Sequence, residues 1–179
     1  IWTTTLAWVI ALFNFIHVGF ECGMGGWLTT YADRLQGGPV VNLLSPTFLY
    51  FFFFVAGRGA APVFFRFMTQ DQVLLMDLGI MLAGMLILLS AGDLVWLGVG
   101  ASAAGFGTSS VFPTNLARFT RIFGPTASRR ATTLFICGTI GSAGVTWIIG
   151  FLSVRMFSLR SGMSSLLACV VVLLILQIL

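Results

Sequence analysis

Three polar side chains follow one another along the first long apolar stretch of the chain. Asn14, His17 and Glu21 are spaced three and four residues apart, so on a helix they lie on one face. A carboxylate inside an apolar span costs several kcal/mol unless it is paired, protonated or in contact with water, and such residues commonly mark solute or ion sites. The pattern predicts a polar line that hydrogen-bonds a hydroxylated solute or relays a proton. A purely structural role is the alternative.

Arg58 is the second charged residue inside an apolar stretch. It precedes Arg66 by a distance of roughly 12 Å if the segment is helical. Folding the second and third stretches into a hairpin about residue 69 brings Asp77 to nearly the same depth. The sequence therefore predicts an Arg58–Asp77 ion pair that serves as a structural or gating clamp. The alternative is that Arg58 reaches Glu21 or an anionic solute.

A third group of candidates surrounds a glycine-rich part of the fourth apolar stretch. Phe106 offers an aromatic platform, and the hydroxyls of Thr108, Ser109 and Ser110 are groups that a sugar can bond. Hydrogen bonds from these hydroxyls to their own helix are an equally good interpretation. Phe106 and Thr108 are thus the predicted solute contacts opposite the first helix.

The composition defines the elements that must position these residues. Hydrophobic residues make up 58% of the 179 and charged residues only 8%, against about 25% charged in an ordinary soluble domain. Lipid must therefore be the solvent. The net charge of +4 comes from arginines between apolar stretches, where they set topology and do not indicate nucleic acid. The three cysteines lack metal-ligand spacing, so we expect no cofactor, metal or disulfide.

Six apolar stretches are long enough to cross a bilayer, which takes about 20 residues. They predict one all-α bundle of six transmembrane helices over residues 1–179, at about 2–31, 45–67, 73–91, 94–117, 132–154 and 161–179. Six arginines flank the second and fourth connections, and three flank the others. The positive-inside rule then places those two connections and both ends of the segment in the cytoplasm.

Glycines recur in the first and fourth stretches, which begin two successive three-helix units. They are Gly19, Gly23, Gly25 and Gly26 in the first stretch, and Gly105 and Gly107, followed by Pro113, in the fourth. Matching Gly/Pro interruptions in corresponding helices of inverted repeats point to a transport site. The pattern predicts two inverted three-helix repeats whose first helices are both interrupted.

The motif around the histidine resembles the seventh helix of major facilitator transporters in the fucose–proton symporter branch. It reads His17-Val-Gly-Phe-Glu21 and continues with Gly25-Gly-Trp27-Leu-Thr-Thr-Tyr31. Other segments are similar to later helices of that superfamily and follow in the same order. These are Gly57-Arg58 before Arg66, Phe112-Pro113-Thr114 before Phe123-Gly124, and Gly141-Ser142-Ala143 with Gly150.

The resemblance implies the C-terminal six-helix half of a twelve-helix major facilitator fold, whose partner is an N-terminal half. It implies a secondary active transporter that moves a sugar or similar small polar metabolite by alternating access, coupled to a proton or sodium ion, in a bacterial inner membrane. Asn14, His17 and Glu21 would bind the solute opposite Phe106 and Thr108. Membrane lipid is the other expected partner.

Three other classes of function are weighed against a sugar transporter. A drug–proton antiporter of the same superfamily is the main alternative, because several aromatic residues and one buried acid also suit a lipophilic cation. An intramembrane protease would need a Gly-x-Ser nucleophile followed by a histidine, whereas Ser109 comes after the single His17. A water or glycerol channel would need two Asn-Pro-Ala boxes, which the sequence lacks. The chain is therefore not expected to be an enzyme.

Overall fold

The computed structural model describes residues 1–39, 45–124, 127 and 131–178. Its helices are α1 (Thr5–Gln36), α2 (Pro46–Phe67), α3 (Gln70–Ser90), α4 (Leu94–Thr108), α5 (Val111–Phe123), α6 (Thr132–Arg155) and α7 (Leu159–Ile178). Within these residues there is no strand. Because α4 and α5 together form one span, six helical spans are long and apolar enough to cross a membrane. Arg129, Arg130 and Leu179, which the sequence predictions used, lie outside the described residues.

Local sequence signals explain where several helices begin and end. The hydroxyl of Ser45 caps α2, and the side chain of Asp93 caps α4. Thr69 and Gln72 form a capping box at the start of α3. At its other end, α1 stops at Gly37, whose φ of 75° is left-handed and favours glycine. These caps satisfy backbone groups that would otherwise lack partners at the membrane surface.

The first span is one continuous helix of 32 residues, so the predicted interruption by its glycines is wrong. Glycine keeps its backbone N–H and can remain in the helical hydrogen-bond ladder, which proline cannot. The glycines instead allow close packing. A Cβ added at Gly19 would lie 2.8 Å from the carbonyl oxygen of Gly141 on α6. Small residues in α1 therefore bring two backbones together, as is common between helices in lipid.

The fourth span is interrupted between Thr108, where α4 ends, and Val111, where α5 begins. Pro113 accounts for the break, because it has no N–H to donate to the carbonyl four residues earlier and its ring crowds that carbonyl. The carbonyl belongs to Ser109. The proline thus leaves an acceptor without a helical donor in the middle of the bundle, where another group must satisfy it.

The two three-helix units pack in a reciprocal way. The first span of each unit packs closely on the second helix of the other, α1 on α6 and α4 on α2. Glycines face main chain at both contacts, since Gly141 lies against Phe15 and Gly105 against Tyr50. This is the arrangement expected from two related units of inverted orientation.

The third helices of the two units, α3 and α7, pack against the other helices of the bundle. They contact each other and share a core of fully buried side chains with α1 and α4. The outer surface is apolar as well, with large side chains such as Trp147 (67% exposed) facing outward. Such a surface is compatible with lipid but not with water over its whole extent.

Candidate functional site

A cavity of about 310 Å³ lies between α1, α2, α5 and α6, and we call it the central cavity. Its lining consists of Asn14, Val18, Glu21, Arg58, Phe112, Phe135, Gly138 and Thr139. Neither α3 nor α7 contributes a lining residue. The cavity therefore brings together an acid from α1 and an arginine from α2, both within predicted membrane spans.

Glu21 is half-buried at the wall of the central cavity. In the part of the chain that the structure describes, its carboxylate has no hydrogen-bond or ion-pair partner. Arg58 of α2 is an opposite charge close enough to act on it. A carboxylate at this depth without a direct partner requires water, a proton or a solute.

Arg58 is held by two contacts that leave most of its hydrogen-bonding capacity unused. Its Nε donates to the carbonyl oxygen of Ser109 at 3.1 Å, the acceptor that Pro113 leaves without a helical donor. Its guanidinium carbon lies 4.2 Å from the centre of the Phe54 ring, a cation–π contact. Among the described residues, neither terminal nitrogen of the guanidinium has a hydrogen-bond partner.

Asp77 is buried on the other side of the break in the fourth span. Its carboxylate accepts a hydrogen bond from the hydroxyl of Ser110. The predicted Arg58–Asp77 ion pair is not formed in this structure. The pair was expected from equal depth along the hairpin, but α4 packs between α2 and α3 and keeps those two helices apart. Arg58 instead contacts Ser109, and Asp77 contacts the adjacent Ser110.

Asn14 lines the central cavity and also connects two helices. Its Nδ2 donates to the carbonyl oxygen of Leu134 on α6 at 2.7 Å. Its side-chain oxygen accepts no hydrogen bond from the residues that are described. The amide is therefore fixed in orientation by α6 and retains an acceptor for a molecule in the cavity.

His17 does not line the cavity, although it shares a sequence stripe with Asn14 and Glu21. It is 1% exposed, and neither of its ring nitrogens has a hydrogen-bond partner among the described residues. It faces the backbone of Thr108 on α4. The hydroxyl of Tyr50, buried nearby beside the side chain of Thr108, also has no partner in this set. In this conformation, His17 therefore has no access to a solute in the cavity.

The two residues predicted from the fourth span lie outside the lining of the central cavity. Thr108 is fully buried, and its hydroxyl donates to the carbonyl oxygen of Ala104 at 2.6 Å. This bond to its own helix is the alternative that the sequence left open, and it occupies the hydroxyl in this conformation. Phe106 is half-buried and packs edge-to-face on Phe64, with 6.2 Å between ring centres.

Five lining residues were not predicted as site residues, namely Val18, Phe112, Phe135, Gly138 and Thr139. Phe112 adjoins Pro113, so the proline break that was noticed could have pointed to it. Phe135 and Thr139 are four residues apart and share a helical face with Gly138. That face contains an aromatic ring, a glycine and a hydroxyl, which is a weak signal in a chain so rich in all three.

A second cavity of about 320 Å³ adjoins the same break in the fourth span. It is lined by Arg58, Ala61, Pro62, Phe65, Ser110, Phe112 and Pro113. Arg58 and Phe112 line both cavities. These two side chains therefore form the partition between the central cavity and the second one.

The fold and the cavity together define the class of protein. The chain is an integral membrane protein whose six spans form one all-α bundle, as the sequence predicted. The all-α fold class is confirmed.

Comparison with known proteins supports this fold through structure and not through sequence. No protein-family model matches the chain, and no curated protein matches it significantly. Among solved structures, it is similar to a mutant of the peptide transporter POT crystallised with sulfate, with a TM-score of 0.78 and 13% sequence identity. The match covers 96% of this chain and 36% of that chain. At this identity the likeness establishes the fold alone.

Proposed function

We propose that the chain is the C-terminal half of a secondary active transporter that moves a small polar solute by alternating access. The observation that carries the proposal is that Glu21 and Arg58 line one cavity inside the membrane-spanning bundle, each with hydrogen-bonding capacity that the described residues leave unused. Charged groups at this depth are costly, so their placement in a cavity favours a role in binding.

The proposed transporter also requires an N-terminal half. The chain spans about a third of the length of the peptide transporter that it resembles, and the central cavity is lined by residues from one side of the bundle only. An N-terminal six-helix unit would supply the opposite wall. Rocking of the two units would then expose the solute to each side of the membrane in turn.

The resemblance of the α1 motif to the fucose–proton symporter branch supports a sugar or similar metabolite as the solute. Glu21 and Asn14 offer acceptors for its hydroxyls, and Phe112 and Phe135 offer apolar faces for its carbon skeleton. Coupling to a proton or sodium ion, and a bacterial inner membrane with both ends of this segment in the cytoplasm, belong to the same proposal. The excess of arginines beside the second and fourth connections supports that orientation.

Replacing Glu21 with glutamine is expected to weaken solute binding at least tenfold, about 1.4 kcal/mol. The amide removes the charge and one acceptor from the cavity while preserving the shape of the side chain. The test is ligand-induced thermal stabilisation of the full-length gene product in detergent, screened with neutral sugars, sugar acids, amino acids and lipophilic cations. A ligand at about 100 times its dissociation constant stabilises a fold by about 2.7 kcal/mol.

Asp71→Asn provides the matched control, because it makes the same chemical change at an exposed position in the first turn of α3. Stabilisation by polar solutes that disappears in Glu21→Gln and persists in Asp71→Asn supports the proposal. Stabilisation by lipophilic cations alone would favour the drug–proton antiporter. If Glu21→Gln and Asp71→Asn bound a polar solute equally well, Glu21 would not be part of the binding site.

A further inference from the structure

We infer that the solute of the central cavity carries a carboxylate, which the guanidinium of Arg58 binds, and that its other end is rich in hydrogen-bond donors, which Glu21 and Asn14 accept. This inference rests on the proposed transport function and specifies its substrate class. A neutral sugar would leave the charge of Arg58 without a counter-ion.

The first argument is the unused capacity of Arg58. A guanidinium has five N–H donors and is charged at any physiological pH. Only the Nε–H is engaged by a described residue, in the bond to Ser109. The remaining four N–H groups belong to the two terminal nitrogens, whose parallel geometry matches the two oxygens of a carboxylate.

The second argument is that the arginine is preorganised. Pro113 frees the carbonyl of Ser109, that carbonyl accepts from Nε, and the Phe54 ring covers one face of the guanidinium. A fixed planar fork loses less side-chain entropy on binding than a mobile one. The local sequence of the fourth span thus determines how an α2 side chain is presented to the cavity.

The third argument is charge balance around Arg58. Asp77, the acid expected to neutralise it, is bonded to Ser110 and kept away by α4. Glu21 shares the cavity without forming an ion pair with it. An unpaired charge within a membrane span is costly, and a bound anion offsets that cost where the protein provides no counter-ion.

The other polar residues of the cavity favour donors on the solute. Glu21 contributes carboxylate oxygens, and Asn14 contributes the amide oxygen left after its Nδ2 has bonded Leu134. Hydroxyls or an ammonium group are the natural partners of these acceptors. The shared chemistry is therefore a small organic carboxylate with a donor-rich end, either a sugar acid or an amino acid.

The test compares glucuronate with glucose on the full-length gene product, by titration calorimetry in detergent. The two probes share a ring and differ in a carboxylate. Glucuronate is expected to bind at least tenfold more tightly than glucose, and Arg58→Gln is expected to abolish that preference. Arg66→Gln is the matched control, because it makes the same change at another exposed position two turns along the same helix, outside the lining of both cavities.

Glutamine, tested in parallel, distinguishes an ammonium from hydroxyls at the donor end. The comparison of glucose with glucuronate needs no variant, so it remains decisive even if Arg58→Gln fails to fold. Equal binding of the two sugars, or binding of neutral solutes with no carboxylate probe bound, would overturn the inference. Alternating access can be tested separately from the carboxylate inference. The cysteine of Thr139→Cys is labelled from each side of a proteoliposome, and its accessibility is expected to change when solute is added.

Discussion

Alanine at position 105 is expected to destabilise the bundle by about 3 kcal/mol or more, the upper end of the range for overpacking. A Cβ there would collide with the carbonyl oxygen of Tyr50 on α2 and lie 2.9 Å from its carbonyl carbon. Main-chain atoms cannot move aside as a flexible side chain can. The whole contact between α4 and α2 would have to open to admit one methyl group.

Gly79→Ala is the control for this change. Gly79 lies inside α3, and a Cβ added there meets nothing within 4 Å. Because alanine favours helix over glycine by up to about 1 kcal/mol, this variant is expected to be neutral or slightly stabilised. The measurement is the fraction of monodisperse protein that survives heating, followed by size-exclusion chromatography. Equal survival of the two variants would show that α4 and α2 are not packed as closely as described.

The reciprocal packing extends the same expectation to the other unit. A Cβ at Gly141 of α6 would lie 2.7 Å from the carbonyl carbon of Phe15 on α1, whereas one at Gly144 would be 3.8 Å from the ring of Phe15. Gly141→Ala should therefore resemble Gly105→Ala, and Gly144→Ala should resemble the parent. If only one of the variants Gly105→Ala and Gly141→Ala lost much thermal stability, the contacts in the two units would not be equivalent.

Ser110→Ala is expected to cost about 1–3 kcal/mol of stability, because it leaves the buried carboxyl of Asp77 without its hydrogen-bond donor. Asp77 is 2% exposed, so its carboxyl has no contact with bulk water in place of the lost partner. Asp77→Asn should cost less, since an amide retains an oxygen that accepts from Ser110. The measurement is again thermal survival in detergent, on the full-length gene product.

Ser102→Ala is the appropriate control for Ser110→Ala. Ser102 is a half-buried residue of α4 whose hydroxyl bonds the carbonyl of Gly98 in its own helix, at 2.8 Å. That carbonyl remains a helical acceptor without the hydroxyl, so we expect a change within about 0.5 kcal/mol. If both serine variants behaved alike, the contact between Asp77 and Ser110 would have no role in holding α3 to the break in the fourth span.

The amino-acid sequence by itself determined the solvent, the number of spans and most helix ends. Few charges and long apolar stretches leave no choice but lipid, and caps such as Thr69 and Asp93 act on neighbouring backbone groups. The break before Pro113 also has a local cause, because the missing N–H leaves the carbonyl of Ser109 without a helical donor. The glycines of α1 led to a wrong prediction of a helix break. Their effect depends on the helix that packs against them and not on their own backbone.

Only the tertiary structure decided which polar residues share a cavity. With about 100° of rotation per residue, Asn14 and Glu21 point within about 20° of each other, while His17 is turned about 40–60° away. That turn is enough to bury the imidazole beside Thr108 while its neighbours in the stripe line the cavity. Arg58 and Asp77 were likewise matched in depth, but α4 lies between their helices. Depth follows from counting residues along a helix, whereas the neighbour on each face follows from how all six spans pack.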